Sequence, residues 1–213
     1  MKLDQNYCLY SPTDYAEALP RSQFMDFQIK PLWSPIPRIS GFAFTVKLAP
    51  SDNLMLHAAI YQAPPGSVIV VEAGDTDFAV AGGNVCAIAQ KKGICGLVID
   101  GVIRDLAEIR EAQFPVFARG VMPIPGQKNK KSPLNIKVNC GGIDVSPNDI
   151  VVADEEGIAV IPNNQRQEIY IKTKLRAESD ASTSLHEWEE KHYEKIQSLL
   201  KKVTKQITKS INN

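Results

Sequence analysis

The sequence predicts an α/β domain, and three observations in the middle of the chain support this. Two runs without polar residues, the β-branched run 68–71 and the run 96–99, are as expected of parallel strands that are buried on both faces. The segment between them begins after a glycine pair and is followed by Gly93, which is typical of a helix end. A further short helix and strand follow this unit, and such alternation forms a parallel sheet covered by helices.

The neighbouring segments have the same two periodicities. Residues 42–47 alternate apolar and polar side chains, which predicts a half-buried strand. Residues 53–62 have helical spacing and stop at a Pro-Pro-Gly break. Residues 105–113 are predicted to form a short helix, and residues 115–117 the strand after it.

These elements divide the chain into three predicted regions. Residues 1–40 form a proline-rich, irregular lead-in with one short helix, and residues 41–165 form the α/β domain, which ends in a hairpin around an acidic turn. Residues 166–213 form a helical tail with one apolar stripe. This stripe could cover the domain or pack on another subunit, and the sequence leaves both open. Its members are Trp188, His192, Ile196, Leu199, Leu200, Val203 and Ile207.

Charge and composition limit the functional classes. The 24 basic residues balance the 24 acidic ones, so no nucleic-acid partner is expected. The small cluster of Lys128, Lys130 and Lys131 is interpreted as solvated surface. Four scattered cysteines indicate a reducing compartment. There is no leader-like start and no apolar run of about 20 residues, so we expect a cytoplasmic protein without a membrane partner.

The common catalytic motifs are absent. The sequence has no P-loop, no G-x-S-x-G and no H-E-x-x-H. The three histidines are too dispersed for a zinc site. His57 lies in the predicted helix 53–62 and is interpreted as a half-buried structural residue, and His186 and His192 as surface residues.

Two strand-to-helix junctions remain as candidate sites, because ligands of α/β sheets bind outside the carboxyl ends of the strands. The backbone N–H groups of Gly82-Gly83-Asn84-Val85 could hold a carboxylate at a helix start. Arg104 and Asp105 end the next junction, where a guanidinium and a carboxylate could together bind a chelating anion and a hard metal. Adjacent side chains are expected to point in different directions. The alternative, favoured on the residues alone, is that Asp105 caps its helix and Arg104 pairs with Glu108.

These junctions carry a resemblance to a known family. The residues concerned are Gly66–Val71, Gly82-Gly83-Asn84, Gly93–Asp105, Phe114–Gly120, Asn139–Gly142 and Asp149–Gly157. Together they resemble the RraA-like family over about residues 40–165. This family contains the class II aldolases that cleave 4-hydroxy-4-methyl-2-oxoglutarate, oxaloacetate decarboxylases, and regulators of ribonuclease E.

The resemblance implies a swivelling β/β/α domain with an added C-terminal helix, assembled as a homotrimer or homohexamer with sites at subunit interfaces. It implies a 2-oxo acid substrate whose pyruvyl part binds Gly82, Gly83, Asn84, Val85 and Arg104. Asp105 would hold Mg²⁺ or Mn²⁺, and Arg104 and Asp105 would be the catalytic residues. The implied activity is a metal-dependent carbon–carbon lyase that releases pyruvate.

One departure bears on the choice of reaction. Many aldolases of this type have an aspartate where Gly83 stands, which is thought to help remove the proton of the substrate hydroxyl. Asp75, Asp77 or an acid from a neighbouring subunit could replace it. Decarboxylation of oxaloacetate needs no such base, so Gly83 favours it. The rival function is a non-catalytic regulator that binds ribonuclease E, and the retention of Asp105 favours the enzyme.

Overall fold

The computed structural model describes the backbone of residues 3–211 and the side chains of residues 3–203. In this part of the chain the strands are β1 (Lys30–Pro31), β2 (Ile39–Lys47), β3 (Ser67–Glu72), β4 (Gly96–Ile103), β5 (Val116–Val121), β6 (Val138–Cys140), β7 (Ile143–Val145), β8 (Ile150–Asp154) and β9 (Gly157–Ile161). The α-helices are α1 (Pro12–Tyr15), α2 (Leu54–Gln62), α3 (Gly83–Lys91), α4 (Leu106–Glu111), α5 (Arg166–Ala181) and α6 (Leu185–Ile211).

One mixed sheet of seven strands organises the domain, in the order β1-β5-β4-β3-β2-β8-β9. Strands β2, β3, β4 and β5 are parallel neighbours. Strand β1 joins one edge antiparallel, and the β8–β9 hairpin joins the other. The carboxyl ends of the four parallel strands therefore lie at one end of the sheet, and the α/β prediction is confirmed.

The central elements agree with their sequence patterns. Val68, Val70 and Leu97 are fully buried, as expected of strands covered on both faces. Gly93 follows α3 with a φ of +77°, the left-handed conformation that glycine adopts at no steric cost. Strand β4 is longer than its apolar run and extends to Ile103, so it leads directly into the Arg104–Asp105 junction.

Residues 42–47 lie in strand β2, as predicted, but the prediction that this strand is half-buried is wrong. Phe42 and Ala43 point to opposite faces of β2, and both are buried. Ala43 belongs to the main core, whereas Phe42 packs in a second cluster with Tyr7 and Tyr15 of the lead-in. The face that the alternation of side chains assigns to solvent is therefore covered, since Ala43 packs in the main core and Thr45 is also buried.

The chain forms two compact units, residues 1–174 and residues 175–213. The second unit contains the end of α5 and all of α6. On α6 the rings of Trp188 and His192 are stacked with centroids 4.5 Å apart, and Trp188, Leu199 and Val203 of the predicted stripe are exposed. The side chain of Ile207 lies outside the described residues. Within residues 3–211, no helix is long and apolar enough to cross a membrane.

Candidate active site

The junction after β4 presents Arg104 and Asp105 at the carboxyl end of the sheet. Asp105 precedes α4 and has φ 58° and ψ 40°, a left-handed conformation that aspartate tolerates better than most residues. Its side chain makes no capping hydrogen bond to α4. The interpretation that the Asp105 side chain caps α4 is therefore wrong.

A second segment runs beside the end of β4 and brings the glycine turn to the same place. The N–H of Val80 donates to the carbonyl oxygen of Val102 at 3.0 Å, and the N–H of Arg104 donates to that of Ala81 at 2.9 Å. Helix α3 begins immediately after this ladder. The structure thus brings together all the residues predicted for the site, namely Gly82, Gly83, Asn84, Val85, Arg104 and Asp105.

The backbone of the glycine turn contacts the side chains of Arg104 and Asp105 where these two segments meet. The N–H of Gly83 donates to Asp105 Oδ2 at 3.1 Å. A Cβ atom at Gly82 would overlap Asp105 Oδ2 and lie 3.1 Å from Arg104 Cγ. Gly82 has extended backbone, so the glycine is required by space and not by its φ angle.

The Arg104 and Asp105 side chains lie on the same side of the junction, with Nε and Oδ2 3.5 Å apart. The expectation that they point in different directions is wrong, because Asp105 is left-handed and both side chains flank Gly82. The alternative pairing of Arg104 with Glu108 does not occur among the described ion pairs. Since Arg104 and Asp105 are 42% and 35% exposed, their pairing adds little stability.

The donor set suits a hard cation that keeps most of its water. Asp105 Oδ1 accepts no hydrogen bond from the described residues, and these residues contain no cluster of three His, Cys, Asp or Glu able to hold a metal. A tetrahedral zinc site needs three or four such ligands. One carboxylate completed by water and substrate oxygens is a common arrangement for Mg²⁺.

The start of α3 offers donors for an anion next to this carboxylate. The first hydrogen bond inside the helix is that from the N–H of Cys86 to the carbonyl oxygen of Gly82, at 3.0 Å. The N–H groups of Asn84 and Val85 therefore have no acceptor within the helix. Their orientation and the helix dipole favour a bound carboxylate. We call Gly82–Val85 with Arg104 and Asp105 the junction wall.

All residues of the junction wall except Gly83 line a pocket of about 70 Å³, and Asn53, His57 and Lys128 form a second wall of the same pocket. His57 is half-buried on α2, as predicted, but it lies at the site. Burial, and secondarily the charge of Lys128, lower the pKa of His57 below its ordinary value of 6.5. Lys128 is exposed, as predicted, yet it also lines the pocket.

Asn53 contributes a buried acceptor to the second wall. It is 3% exposed, and its Nδ2 lies 3.5 Å from the carbonyl oxygens of Ala79 and Gly126. Among the described residues its Oδ1 has no hydrogen-bond partner. A buried acceptor without a donor is uncommon in proteins and indicates that a ligand or water satisfies it.

Asp52 ties the parts of the second wall together. Its Oδ2 accepts the N–H groups of Asn129 and Lys130 at 2.6 and 3.1 Å. The N–H of Asn53 donates to the carbonyl oxygen of Gln127 at 2.8 Å. The loop that carries Lys128 is thereby fixed beside the start of α2.

The place of a side chain at Gly83 is occupied by Glu108. A Cβ at Gly83 would overlap the Glu108 carboxylate, so α4 supplies an acid beside Gly83 even though the residue itself has none. Glu108 is exposed and is not among the described residues that line the pocket.

Asp75 and Asp77 are also absent from the described residues that line the pocket. The Asp75 carboxylate accepts the N–H groups of Ser51 and Asp77, so the expectation that Asp75 or Asp77 replaces the missing carboxylate has no support from the pocket.

A pocket at the carboxyl ends of parallel strands, beside a helix start and the Asp105 carboxylate, has the position of a ligand site in an α/β domain. A family model described as Aldolase/RraA matches residues 13–160, so the chain belongs to the RraA-like family. The predicted family and its fold are confirmed. The match begins within the lead-in, which agrees with the packing of that segment against β2.

Three relatives include proteins named as aldolases and one named as an inhibitor of RNA processing. The chain is 39% identical over 153 residues to a putative 4-hydroxy-4-methyl-2-oxoglutarate aldolase of Halalkalibacterium halodurans, covering 71% of this chain and 72% of the relative. It is 26% identical over 151 residues to the 4-hydroxy-4-methyl-2-oxoglutarate aldolase of Thermus thermophilus, covering 70% and 91%. The solved structure of the RNA-processing inhibitor RraA from Thermus thermophilus superposes with a TM-score of 0.66 at 26% identity, covering 72% and 93%.

Proposed function

We propose that this protein is a divalent-metal-dependent lyase that acts on pyruvate-like 2-oxo acids and releases pyruvate. The candidate reactions are aldol cleavage of 4-hydroxy-4-methyl-2-oxoglutarate and decarboxylation of oxaloacetate. The observation that carries the proposal is the junction wall. There the Asp105 carboxylate, which makes no capping hydrogen bond to α4, and the Arg104 guanidinium flank Gly82 at the start of α3. The names of the relatives support the same class of reaction.

Each part of the junction wall has a role in this reaction. Asp105 would hold Mg²⁺ or Mn²⁺, which supplies a Lewis acid for the keto oxygen of the substrate. The N–H groups of Asn84 and Val85 would bind the adjacent carboxylate. Arg104 would stabilise the negative charge that develops when the carbon–carbon bond breaks and an enolate forms.

The dimensions and position of the pocket support a small anionic substrate. A volume of about 70 Å³ is far below the several hundred Å³ of a pocket for a drug-sized ligand or nucleotide. A larger cavity of about 800 Å³ lies between Arg38 and Pro65, at the amino ends of β3 and β4. Ligands of α/β sheets bind at the carboxyl ends, so we assign the chemistry to the smaller pocket.

The test measures pyruvate release from oxaloacetate and from 4-hydroxy-4-methyl-2-oxoglutarate, each with Mg²⁺ and with excess chelator. We expect release from at least one substrate, abolished by the chelator and restored by Mg²⁺. If the folded protein releases no pyruvate from either, the lyase proposal fails. The rival proposal, a non-catalytic regulator of ribonuclease E, is then preferred, because one structural relative is named an RNA-processing inhibitor.

The proposal also includes assembly of the chain into a homo-oligomer. The family resemblance implies a homotrimer or homohexamer, so light scattering in solution should give three or six times the chain mass of 23.5 kDa. A monomer that turns over substrate would contradict this part alone.

A further inference from the structure

Helix α6 presents an apolar surface that the proposed chemistry does not use. Trp188, Leu199 and Val203 of its apolar stripe are 53%, 45% and 50% exposed. Single exposed apolar residues are common on soluble proteins, whereas a contiguous row of them marks a surface that binds another molecule. The stripe of α6 is such a row.

The spacing of the stripe favours another helix as the bound partner. Trp188 and Leu199 are eleven residues apart, and so are His192 and Val203. An eleven-residue repeat keeps the apolar positions in line on a nearly straight helix, as in helices that coil around each other. Helix α6 has 27 residues, so at 1.5 Å per residue the stripe can extend over about 40 Å.

The charged residues of α6 are divided unequally along the helix. Its acidic residues all lie within residues 185–195, which we call the acidic half, and no acidic residue follows Glu194 in the sequence. Residues 196–211, which we call the lysine half, have charged residues of the opposite sign only. The residues concerned are Glu187, Glu189, Glu190 and Glu194 in the acidic half and Lys201, Lys202, Lys205 and Lys209 in the lysine half.

The helix dipole does not account for this division. Acidic residues near the start of a helix and basic residues near its end interact favourably with the dipole, but the effect is confined to the first and last turns. Glu194 lies nine residues after Leu185, and Lys202 lies nine residues before Ile211. Both are too far from the helix ends for the dipole to explain their positions.

Contacts within α6 do not neutralise the lysine half either. Lys201, Lys205 and Lys209 follow one another at steps of four residues, so each is next to a residue of like charge on the helix surface. Like charges at this spacing destabilise a helix. Glu190 and Glu194 have the same spacing in the acidic half. Each half is therefore stabilised by a partner of opposite charge from outside the helix.

We propose that the apolar stripe of α6 packs against the same stripe of a second copy of this chain, with the two helices antiparallel. This orientation places the acidic half of each helix beside the lysine half of the other, whereas parallel helices would bring like charges together. The contact is identical for both copies, so it closes as a pair. The inference is independent of the lyase function. In the trimer included in the proposal above, such pairs would join two trimers into a hexamer.

The experiment measures the mass of the full-length protein by light scattering over a dilution series at low ionic strength. In K201E/K202E, like charges face each other across the pair. The midpoint concentration of association should rise about tenfold or more, because like-charge contacts across an interface are costly. Below this midpoint the variant should have half the wild-type mass.

The matched control is K191E/K195E, which changes the same number of charges on the same helix but in the acidic half. It should keep the wild-type mass, since these residues lie beside the lysine half of the partner. E190K/E194K should lose association as K201E/K202E does, and an equimolar mixture of these two variants should recover it. Lysine and glutamate have similar helix propensities, so circular dichroism checks that the variants are folded.

A further variant, L199E, places a charge in the stripe and should also halve the mass. If the mass does not change in K201E/K202E, or if K191E/K195E loses association equally, the antiparallel pair is wrong. Lower thermal stability of L199E at unchanged mass would show that the stripe covers its own domain. Sedimentation of the wild type with phosphatidylserine vesicles, with the same mass for all variants in solution, would show that the stripe binds a membrane surface. Either result would overturn the proposal.

Discussion

The two walls of the pocket are held in place by different means. The junction wall is fixed by the main chain, since the hydrogen bonds of Val80 and Arg104 hold it against the end of β4. The second wall joins the start of α2 to a distant loop through one buried carboxylate, that of Asp52. The charge-stabilising step, which tolerates little displacement, is assigned to the junction wall.

The largest expected effect comes from Asp105. D105N should lower metal-dependent pyruvate release by more than about 100-fold, because loss of a metal ligand exceeds the loss caused by its supporting contacts. Asparagine also tolerates the left-handed backbone and can accept the Gly83 N–H, so thermal unfolding should be unchanged. Unaltered turnover in D105N would contradict the assignment of the metal to this residue.

Crowding the junction wall should have the next largest effect. In G82A the new methyl group overlaps Asp105 Oδ2 and approaches Arg104, which displaces the two catalytic side chains and should reduce turnover of both substrates about 100-fold. The matched control is G120A on β5, where a Cβ has no atom within 4 Å and activity should persist. If the two variants behave alike, the close contact at Gly82 has no functional role.

Changing the second wall should affect the pKa of His57 and substrate binding. Removal of the positive charge in K128M lets the pKa of His57 rise, because a nearby cation disfavours the imidazolium, so the His57 titration followed by NMR should move to higher pH. Because Lys128 lines the pocket, K128M should also raise KM for 4-hydroxy-4-methyl-2-oxoglutarate about tenfold, the value of a hydrogen bond to a charged group. K131M serves as the control, and a titration that stays in place in K128M would separate Lys128 from His57.

The smallest effect on turnover is expected from Asp52. Burial acts to raise the pKa of Asp52, but hydrogen bonds from the backbone N–H groups of Asn129, Leu54 and Lys130 outweigh it and hold the pKa below the ordinary 3.8. A lowered carboxyl pKa stabilises the folded state above the unfolded value and ceases to do so as the pH falls through the folded one. D52N should therefore lower the free energy of unfolding by about 2 kcal/mol at pH 7.

Denaturant unfolding of D52N and the wild type at pH 7 and pH 3 checks the sign of this effect. The difference in stability should be smaller at pH 3, because below the ordinary carboxyl pKa of 3.8 the unfolded wild-type chain takes up the proton. Decarboxylation by folded D52N should stay near the wild-type rate, because the junction wall does not depend on Asp52. A difference that is constant with pH would show that the Asp52 charge is not involved.

The junction wall could be predicted from sequence because its residues are contiguous. Arg104 and Asp105 directly follow a buried run, and Gly82 and Gly83 open a helix, so the end of the sheet that they occupy follows from the order of elements. The resemblance to the RraA-like family then predicted that the two junctions form one site. The positive φ of Asp105, which directs both charged side chains toward Gly82, depends on the chain path after β4 and had no sequence signal.

The second wall could not be predicted in the same way. Asn53 and His57 are four residues apart on one helix face, which is a weak signal, and Lys128 approaches them only because the loop around Gln127 is hydrogen-bonded to the segment before α2. The same long-range dependence explains the burial of β2, where Ala43 packs in the main core and Phe42 packs with Tyr7 and Tyr15 from the lead-in. The second wall and the burial of β2 both depend on contacts between segments that are distant in sequence.

The most direct test of the central claim is Mn²⁺ binding, followed through the loss of the free-ion signal in electron paramagnetic resonance. Wild-type protein with oxalate should bind one Mn²⁺ per chain, and D105N at the same concentrations should bind none. H57N should bind as the wild type does, since His57 belongs to the second wall. Equal binding of Mn²⁺ by D105N and the wild type would contradict the account, because the metal would then be held elsewhere.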